Sequence, residues 1–307
     1  MIRDMVIASF FGAGYLTDAF FLAFTIPNLL RRLVAEGSLS TAFVPVFTDS
    51  LESSEDEARN AIREVTSFSV LLTGLLTVLG ILAAAQLTDF FAPGFSTSTQ
   101  QRDLTITLTQ IMMPYVIIVS LIALASGALN TLGLFAVPAA APAILNVAMI
   151  SSVLVFGRFT DEPIYALSIS VPVGGVAALI AQLWTLRRKG FSMGFRNPLR
   201  SEPVRKIAWL MLPSILASSV YQIMVLVNRM LASMLGQGSI SWYYFADRLV
   251  QFPLGVFSIA LATAILPELS RKATRGDVPG FNEQLLSGLN WVSFIILPAT
   301  CGLIFLS

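Results

Sequence analysis

Six charged side chains interrupt stretches that are otherwise apolar: Arg3, Asp18, Arg31, Arg229, Asp247 and Arg248. At the centre of a membrane helix such a residue costs about 2.5–3.5 kcal/mol on insertion scales, so it normally faces a cavity or a partner. Asp18 and Arg31 bracket one apolar run, and at the helical rise they stand about 20 Å apart, near its opposite ends. Two readings stand side by side. In the local one, Asp247 pairs with an arginine, and Arg31 and Arg32 snorkel to lipid headgroups. In the collective one, several arginines converge on a cavity and make an anion site. The guanidinium is a planar, permanently charged fork suited to phosphate, so a pyrophosphate-bearing ligand fits that chemistry. Snorkelling explains Arg248 less well, because Tyr243–Val256 is otherwise nearly uncharged. The amides Gln110, Asn130, Asn146, Gln182, Gln222 and Asn228 are expected to hydrogen-bond between helices.

Other chemistries are excluded by residue type. There is no histidine, hence no His–Asp triad, no imidazole metal ligand and no imidazole pH switch. A single cysteine, Cys301, allows no internal disulfide and no Cys-based zinc or iron–sulfur site. It lies in an apolar run, and packing in the core is its expected role. Gly190-Phe-Ser-Met-Gly194 has the nucleophile-elbow spacing but lacks a histidine partner, and no Gly-Lys-Ser/Thr sequence exists for a P-loop. The acids of Glu52–Glu57 suit a solvated helix start better than a cation site. A membrane-embedded enzyme would need a cluster of histidines or acids near a membrane face, and the sequence has none. No catalytic residue, cofactor or metal is therefore expected. The net charge of +1 gives no bulk attraction to nucleic acid.

The elements that must position these charges follow from composition. Of 307 residues 55% are hydrophobic and 12% charged, with a mean hydropathy of +0.78. That is about half the charge of an average soluble domain, and it points to an all-α polytopic membrane protein. Eight apolar runs are long enough to span: about 15–36, 61–88, 104–132, 134–157, 163–186, 207–235, 240–268 and 284–306. Residues 1–11 read as the tail of a helix and the chain stops in or at the end of an apolar run, so a piece of a longer protein is expected. Basic residues concentrate in 31–63, 187–206 and 271–275, which places those loops in the cytoplasm and leaves 12–14, 89–103, 157–163 and 236–240 outside. Ser54 with Glu57 fits a capping box. Pro114, Pro172 and Pro213 fall inside runs and are expected to shape or kink them.

Two stretches resemble each other at a long period. Gly12-Ala-Gly14, Thr17-Asp18-Ala-Phe-Phe21, Pro27 and Ala42-Phe-Val-Pro45 correspond to Gly236-Gln-Gly238, Tyr243-Tyr-Phe-Ala-Asp247, Pro253 and Ala264-Ile-Leu-Pro267, at offsets of 222–226 residues. The period holds an even number of spans, so the two units are parallel repeats, an architecture of transporters that carry substrate between two lobes.

Arg3-Asp4, Phe11-Gly-Ala-Gly14, Thr17-Asp-Ala-Phe-Phe21, Pro27-Asn-Leu-Leu-Arg-Arg32, Ala35-Glu-Gly37, Ala42-Phe-Val-Pro45, Ala92-Pro-Gly-Phe95, Gly127-Ala-Leu-Asn-Thr131, Ser241-Trp-Tyr-Tyr244 and Ala246-Asp-Arg-Leu249 carry a specific resemblance to the MurJ/MviN family of lipid II flippases. It extends over essentially the whole chain. The resemblance implies a fourteen-helix member of the multidrug/oligosaccharidyl-lipid/polysaccharide exporter superfamily, with a MATE-like fold. Two six-helix lobes form a V around a cationic cavity, and two further helices supply a groove for the lipid tail. This chain would then hold the first lobe at 1–186 with its first helix truncated, a cytoplasmic linker at 187–206, and the first three helices of the second lobe at 207–307. The implied substrate-binding residues are Arg3, Arg31 and Arg248 for the pyrophosphate and headgroup, and Asp18 at the outer gate. Some members carry glutamate where this chain has Gln251. The implied activity is flipping of lipid II, an undecaprenyl-pyrophosphate-linked disaccharide-pentapeptide, by alternating access in the bacterial cytoplasmic membrane. Lipid II, membrane lipids and the cell-wall synthesis machinery are the implied partners. Export of another polyprenyl-linked glycan, or drug antiport, is the alternative within the superfamily.

Overall fold

The computed structural model describes residues 1–33, 39–160, 162–198 and 201–306. The motif Ala35-Glu-Gly37 and the basic loop residue Arg200 lie outside the described residues. The described chain is helical, with no strand. Seven helical segments are long and apolar enough to cross a membrane: Glu55–Leu82, Thr99–Thr131, Ala136–Val155, Pro163–Arg188, Glu202–Ser233, Ser239–Thr274 and Val278–Phe305. The remaining expected run, 15–36, contains a helix Tyr15–Leu30 followed by a π turn over 31–33. At the helical rise its 16 residues reach about 24 Å, short of the roughly 30 Å hydrocarbon core.

In chain order the helices are α1 (Ile2–Phe11), α2 (Tyr15–Leu30), α3 (Ser40–Ser53), α4 (Glu55–Leu82), α5 (Ala84–Phe91), α6 (Thr99–Met112) and α7 (Tyr115–Thr131). They continue as α8 (Ala136–Val155), α9 (Pro163–Arg188), α10 (Glu202–Ser233), α11 (Ser239–Pro253), α12 (Ala260–Thr274) and α13 (Val278–Leu306).

Prolines act by position. Pro114 separates α6 from α7, since its ring displaces the carbonyl four residues back and it has no N–H to donate. Pro172 and Pro213 sit inside continuous α9 and α10, shaping them without a break. After Pro253 the helix widens into a π segment, Leu254–Ile259, before α12 resumes. The run expected at 61–88 is divided at Ala83, where α4 ends and α5 begins. No proline or glycine marks that break. Thr88 and Phe91 of α5 are buried, and tertiary packing rather than local sequence sets the boundary. The Ser54 hydroxyl accepts from the Glu57 N–H at 3.2 Å and caps α4 as expected.

The chain divides into two compact units, Met1–Ser241 and Trp242–Ser307. In the first, α8 packs along α9, α7 along α9, α2 along α6, and α3 beside α4, α7 and α10. Its core joins Phe43 and Phe47 of α3, Ile62 and Val65 of α4, Leu124 of α7 and Ile207 of α10. Small residues permit the closest approaches. A Cβ on Gly175 would stand 2.9 Å from the Tyr115 ring, and one on Gly127 would stand 3.0 Å from Phe43. Between α4 and α7, buried Ser69 and Thr73 meet Ser120 at 3.1 and 3.2 Å, an interhelical polar contact in an apolar bundle. Of the expected amide contacts, Gln182 accepts from Ser126 at 3.2 Å and Gln110 donates to the Ile81 carbonyl at 3.4 Å.

The basic loop after α9 is pinned to the start of α4. Arg59 donates to the Gly190 carbonyl at 3.2 Å and Arg63 to the Ser192 hydroxyl at 3.3 Å. Glu64 pairs with Arg196 at 3.2 Å and accepts from Ser201 at 2.6 Å. The second unit pairs α12 with α13 through a turn at Gly276, whose φ of +69° favours glycine. Cys301, expected to be packed, is exposed on α13.

Asp89 of α5 takes a two-pronged hydrogen bond from Arg102 of α6, at 2.6 and 2.8 Å. That bond outweighs desolvation and holds the Asp89 carboxyl below its ordinary value of 3.8. Because the folded value is depressed, the pair's contribution is present above the ordinary value and is lost as pH falls through the lowered one. An NMR titration of the Asp89 carboxyl should show this depression, and Arg102→Ala should restore an ordinary titration.

Candidate functional site

Asp18 sits in the first turn of α2 and is 2% exposed. One carboxylate oxygen accepts from the Gly238 N–H at 2.6 Å. The other accepts from the Ser241 N–H at 2.8 Å and the Ser241 hydroxyl at 2.6 Å. The acid therefore caps the N-terminus of α11, a helix elsewhere in the sequence, where unsatisfied N–H groups and the helix dipole favour negative charge. Charge-assisted bonds of this kind are about twice as strong as neutral ones. The same turn is gripped from α10, since buried Arg229 donates to the Ile240 carbonyl at 3.2 Å. An acid thus holds the N–H groups of this turn and a base holds a carbonyl.

The preceding residue does the same service for its own turn. The Thr17 hydroxyl donates to the Gly12 carbonyl at 2.8 Å and accepts from the Gly14 N–H at 3.3 Å. Gly12 and Gly238 have φ of +66° and +90°, a region that side chains rarely adopt. Thr17 and Asp18, adjacent in sequence, therefore tie together the two Gly-x-Gly turns that correspond in the internal repeat. Sequence reasoning singled out Asp18 and Arg229 separately without joining them at one turn, and it gave Ser241 no part in the site. The available signal was Gly236-x-Gly238 followed by a helix start with serine.

Arg31 ends α2 and lines a cavity of about 270 Å³ among α3, α7, α8 and α9. Ser40, Tyr115 and Ser126 give the wall polar groups, and Pro138, Pro142 and Leu145 give it apolar ones. Arg32 instead lies over the Tyr221 ring of α10, 5.7 Å from its centroid. Arg3 is placed apart from this cavity. Its guanidinium pairs with buried Asp4 at 2.6 Å and reaches the Met149 sulfur of α8 at 3.9 Å.

Arg248 belongs to the second unit. It donates to Gln251 at 3.2 Å and lies 5.1 Å from the centroid of the Tyr244 ring. Gln251 in turn donates to Asp247 at 2.5 Å. The amide accepts from the base and donates to the acid at once. A glutamate at this position could accept from Arg248 but would face Asp247 with like charge.

Long apolar helices, charged groups partnered within them and a buried carboxylate clamp between helices mark a multi-pass membrane protein. A solved structure titled "Lipid II flippase MurJ, inward closed conformation" superposes with a TM-score of 0.81 at 26% identity, over 99% of this chain and 62% of that one. An inward-facing multidrug resistance MATE family transporter of the MOP superfamily superposes at 0.78 over 99% of this chain and 69% of that one; at 16% identity it shows the fold alone. The chain belongs to the family described as lipid II flippase MurJ, whose sequence profile it matches over residues 7–307. It is 39% identical to the lipid II flippase MurJ of Burkholderia cenocepacia over 99% of its own length. It is 38% identical to the probable lipid II flippase MurJ of Vibrio cholerae over all of it. In both cases it spans 60% of the relative's length.

Proposed function

We propose that the protein containing this chain flips lipid II from the cytoplasmic to the outer leaflet of the bacterial cytoplasmic membrane. The observation that carries this reading is Arg31, a permanent cation at the edge of a cavity inside the helical bundle, in a chain of the lipid II flippase family. Residues 1–186 form the first lobe, 187–206 the cytoplasmic linker and 207–307 the start of the second lobe. Arg3, Arg31 and Arg248 hold the pyrophosphate and polar headgroup, which suits their chemistry because the guanidinium fork matches phosphate oxygens. Asp18 works at the outer gate. Its bonds to Gly238 and Ser241 support a closed position, in which the start of α2 is fastened to the start of α11. Alternating access then requires those bonds to break and re-form as the lobes rock. Product handed to the outer leaflet supplies the cell-wall synthesis machinery.

Complementation tests the assignment. The full-length gene should sustain growth of cells depleted of their own flippase, and Arg31→Ala and Arg248→Ala should not, at equal membrane levels. Normal growth of either variant removes that arginine from the binding role. Binding of labelled lipid II in preference to other polyprenyl-linked glycans tests the cargo separately.

A further inference from the structure

A groove of about 650 Å³ runs between α4 and α10, away from the residues assigned above. Phe68, Leu71, Leu72 and Leu75 of α4 form its apolar wall, and Glu202 and Arg205 of α10 stand at its polar end. Glu202 and Arg205 are both exposed. Their neighbours are paired: Glu64 with Arg196, and Lys206 with Asp49 at 2.8 Å. Among the described residues, neither the Glu202 carboxylate nor the Arg205 guanidinium takes part in a salt bridge or side-chain hydrogen bond, although they are three residues apart on one helix. Trp209, one turn further along α10, is 72% exposed, as an aromatic at the membrane interface is.

One acid and one base, open at the mouth of an apolar groove at the membrane boundary, complement a headgroup that carries both charges. We propose that the groove holds one phosphatidylethanolamine molecule, with its phosphate at Arg205, its ammonium at Glu202 and an acyl chain along Phe68–Leu75. Moving a chain from surrounding lipid into the groove gains little, because lipid tails are as apolar as leucine. Selectivity therefore rests on the two charges. An anionic headgroup would satisfy Arg205 and be repelled by Glu202. The proposal does not depend on which cargo the protein moves.

Native mass spectrometry of the delipidated full-length protein, titrated with phosphatidylethanolamine or phosphatidylglycerol, tests it. One phosphatidylethanolamine should bind in preference to phosphatidylglycerol. Glu202→Gln and Arg205→Gln, both on the exposed surface, should each weaken it about tenfold. Leu71→Trp should block the groove with both charges intact. Equal binding of phosphatidylglycerol, indifference to all three substitutions, or displacement of the lipid by a polyprenyl phosphate would overturn the assignment.

Discussion

Asp18→Ala should abolish growth support in flippase-depleted cells and lower the thermal stability of the purified full-length protein. The carboxylate accepts three hydrogen bonds at 2.6–2.8 Å, and alanine accepts none. The N–H groups of Gly238 and Ser241 are then left at a helix start buried away from water. Each hydrogen bond to a charged group contributes about 1.5–3 kcal/mol, and an orphaned buried donor costs about 1–3 kcal/mol, with overlap between the two. A loss of several kcal/mol is a large share of a typical folding free energy. Asp18→Asn separates charge from shape. Its one oxygen can serve either Gly238 or Ser241, and its NH2 must face the other N–H, so an intermediate loss is expected. The measurements are growth and the thermal midpoint for both variants. Wild-type values for Asp18→Ala would show that the clamp carries neither stability nor transport.

The second large effect is expected at Gly94. This residue follows Pro93 in a short turn after α5, and its N–H donates to the Ser233 hydroxyl of α10 at 3.3 Å. An added Cβ would collide with the Ser233 carbonyl and come within 2.9 Å of the Met234 Cα. Both obstacles are backbone, which cannot swing aside as a side chain does, so Gly94→Ala must push the two segments apart. Overpacking of this kind costs about 1–3 kcal/mol. The displaced residues lead directly into Gly236–Ser241, the turn that Asp18 and Arg229 hold. Gly94→Ala should therefore lower the thermal midpoint and impair growth support, whereas Gly14→Ala, with open space around its Cβ, should do neither. Equal behaviour of the two variants would contradict the close approach.

The membrane class and most span positions were legible in composition and run length, because a bilayer imposes a length of apolar residues whatever their neighbours. Pro114, Pro172 and Pro213 were legible as disturbances of their helices for an equally local reason, the missing N–H, but not which of them would end one. The division of 61–88 at Ala83 was not, since Ala83 has no intrinsic preference for ending a helix and the boundary is set by what α5 packs against. Charges were legible as exceptions but not as partners. Asp18 was expected at an outer gate, yet two of the three groups it meets are backbone N–H donors, which have no residue type to recognise. The local reading paired Asp247 with an arginine, and it is Gln251 that donates to it.

By itself the sequence determined what kind of environment this chain occupies and which residues are too costly to sit there without a reason. Hydrophobic transfer and charge burial are properties of residue type and short spacing, so one dimension suffices for them. Only the tertiary structure decided what each reason is. Arg3 is answered by its neighbour Asp4, Arg31 opens onto a cavity, and Asp18 fastens a turn more than two hundred residues away. Hydrogen bonds and ion pairs act over about 3 Å, a distance that chain separation does not encode.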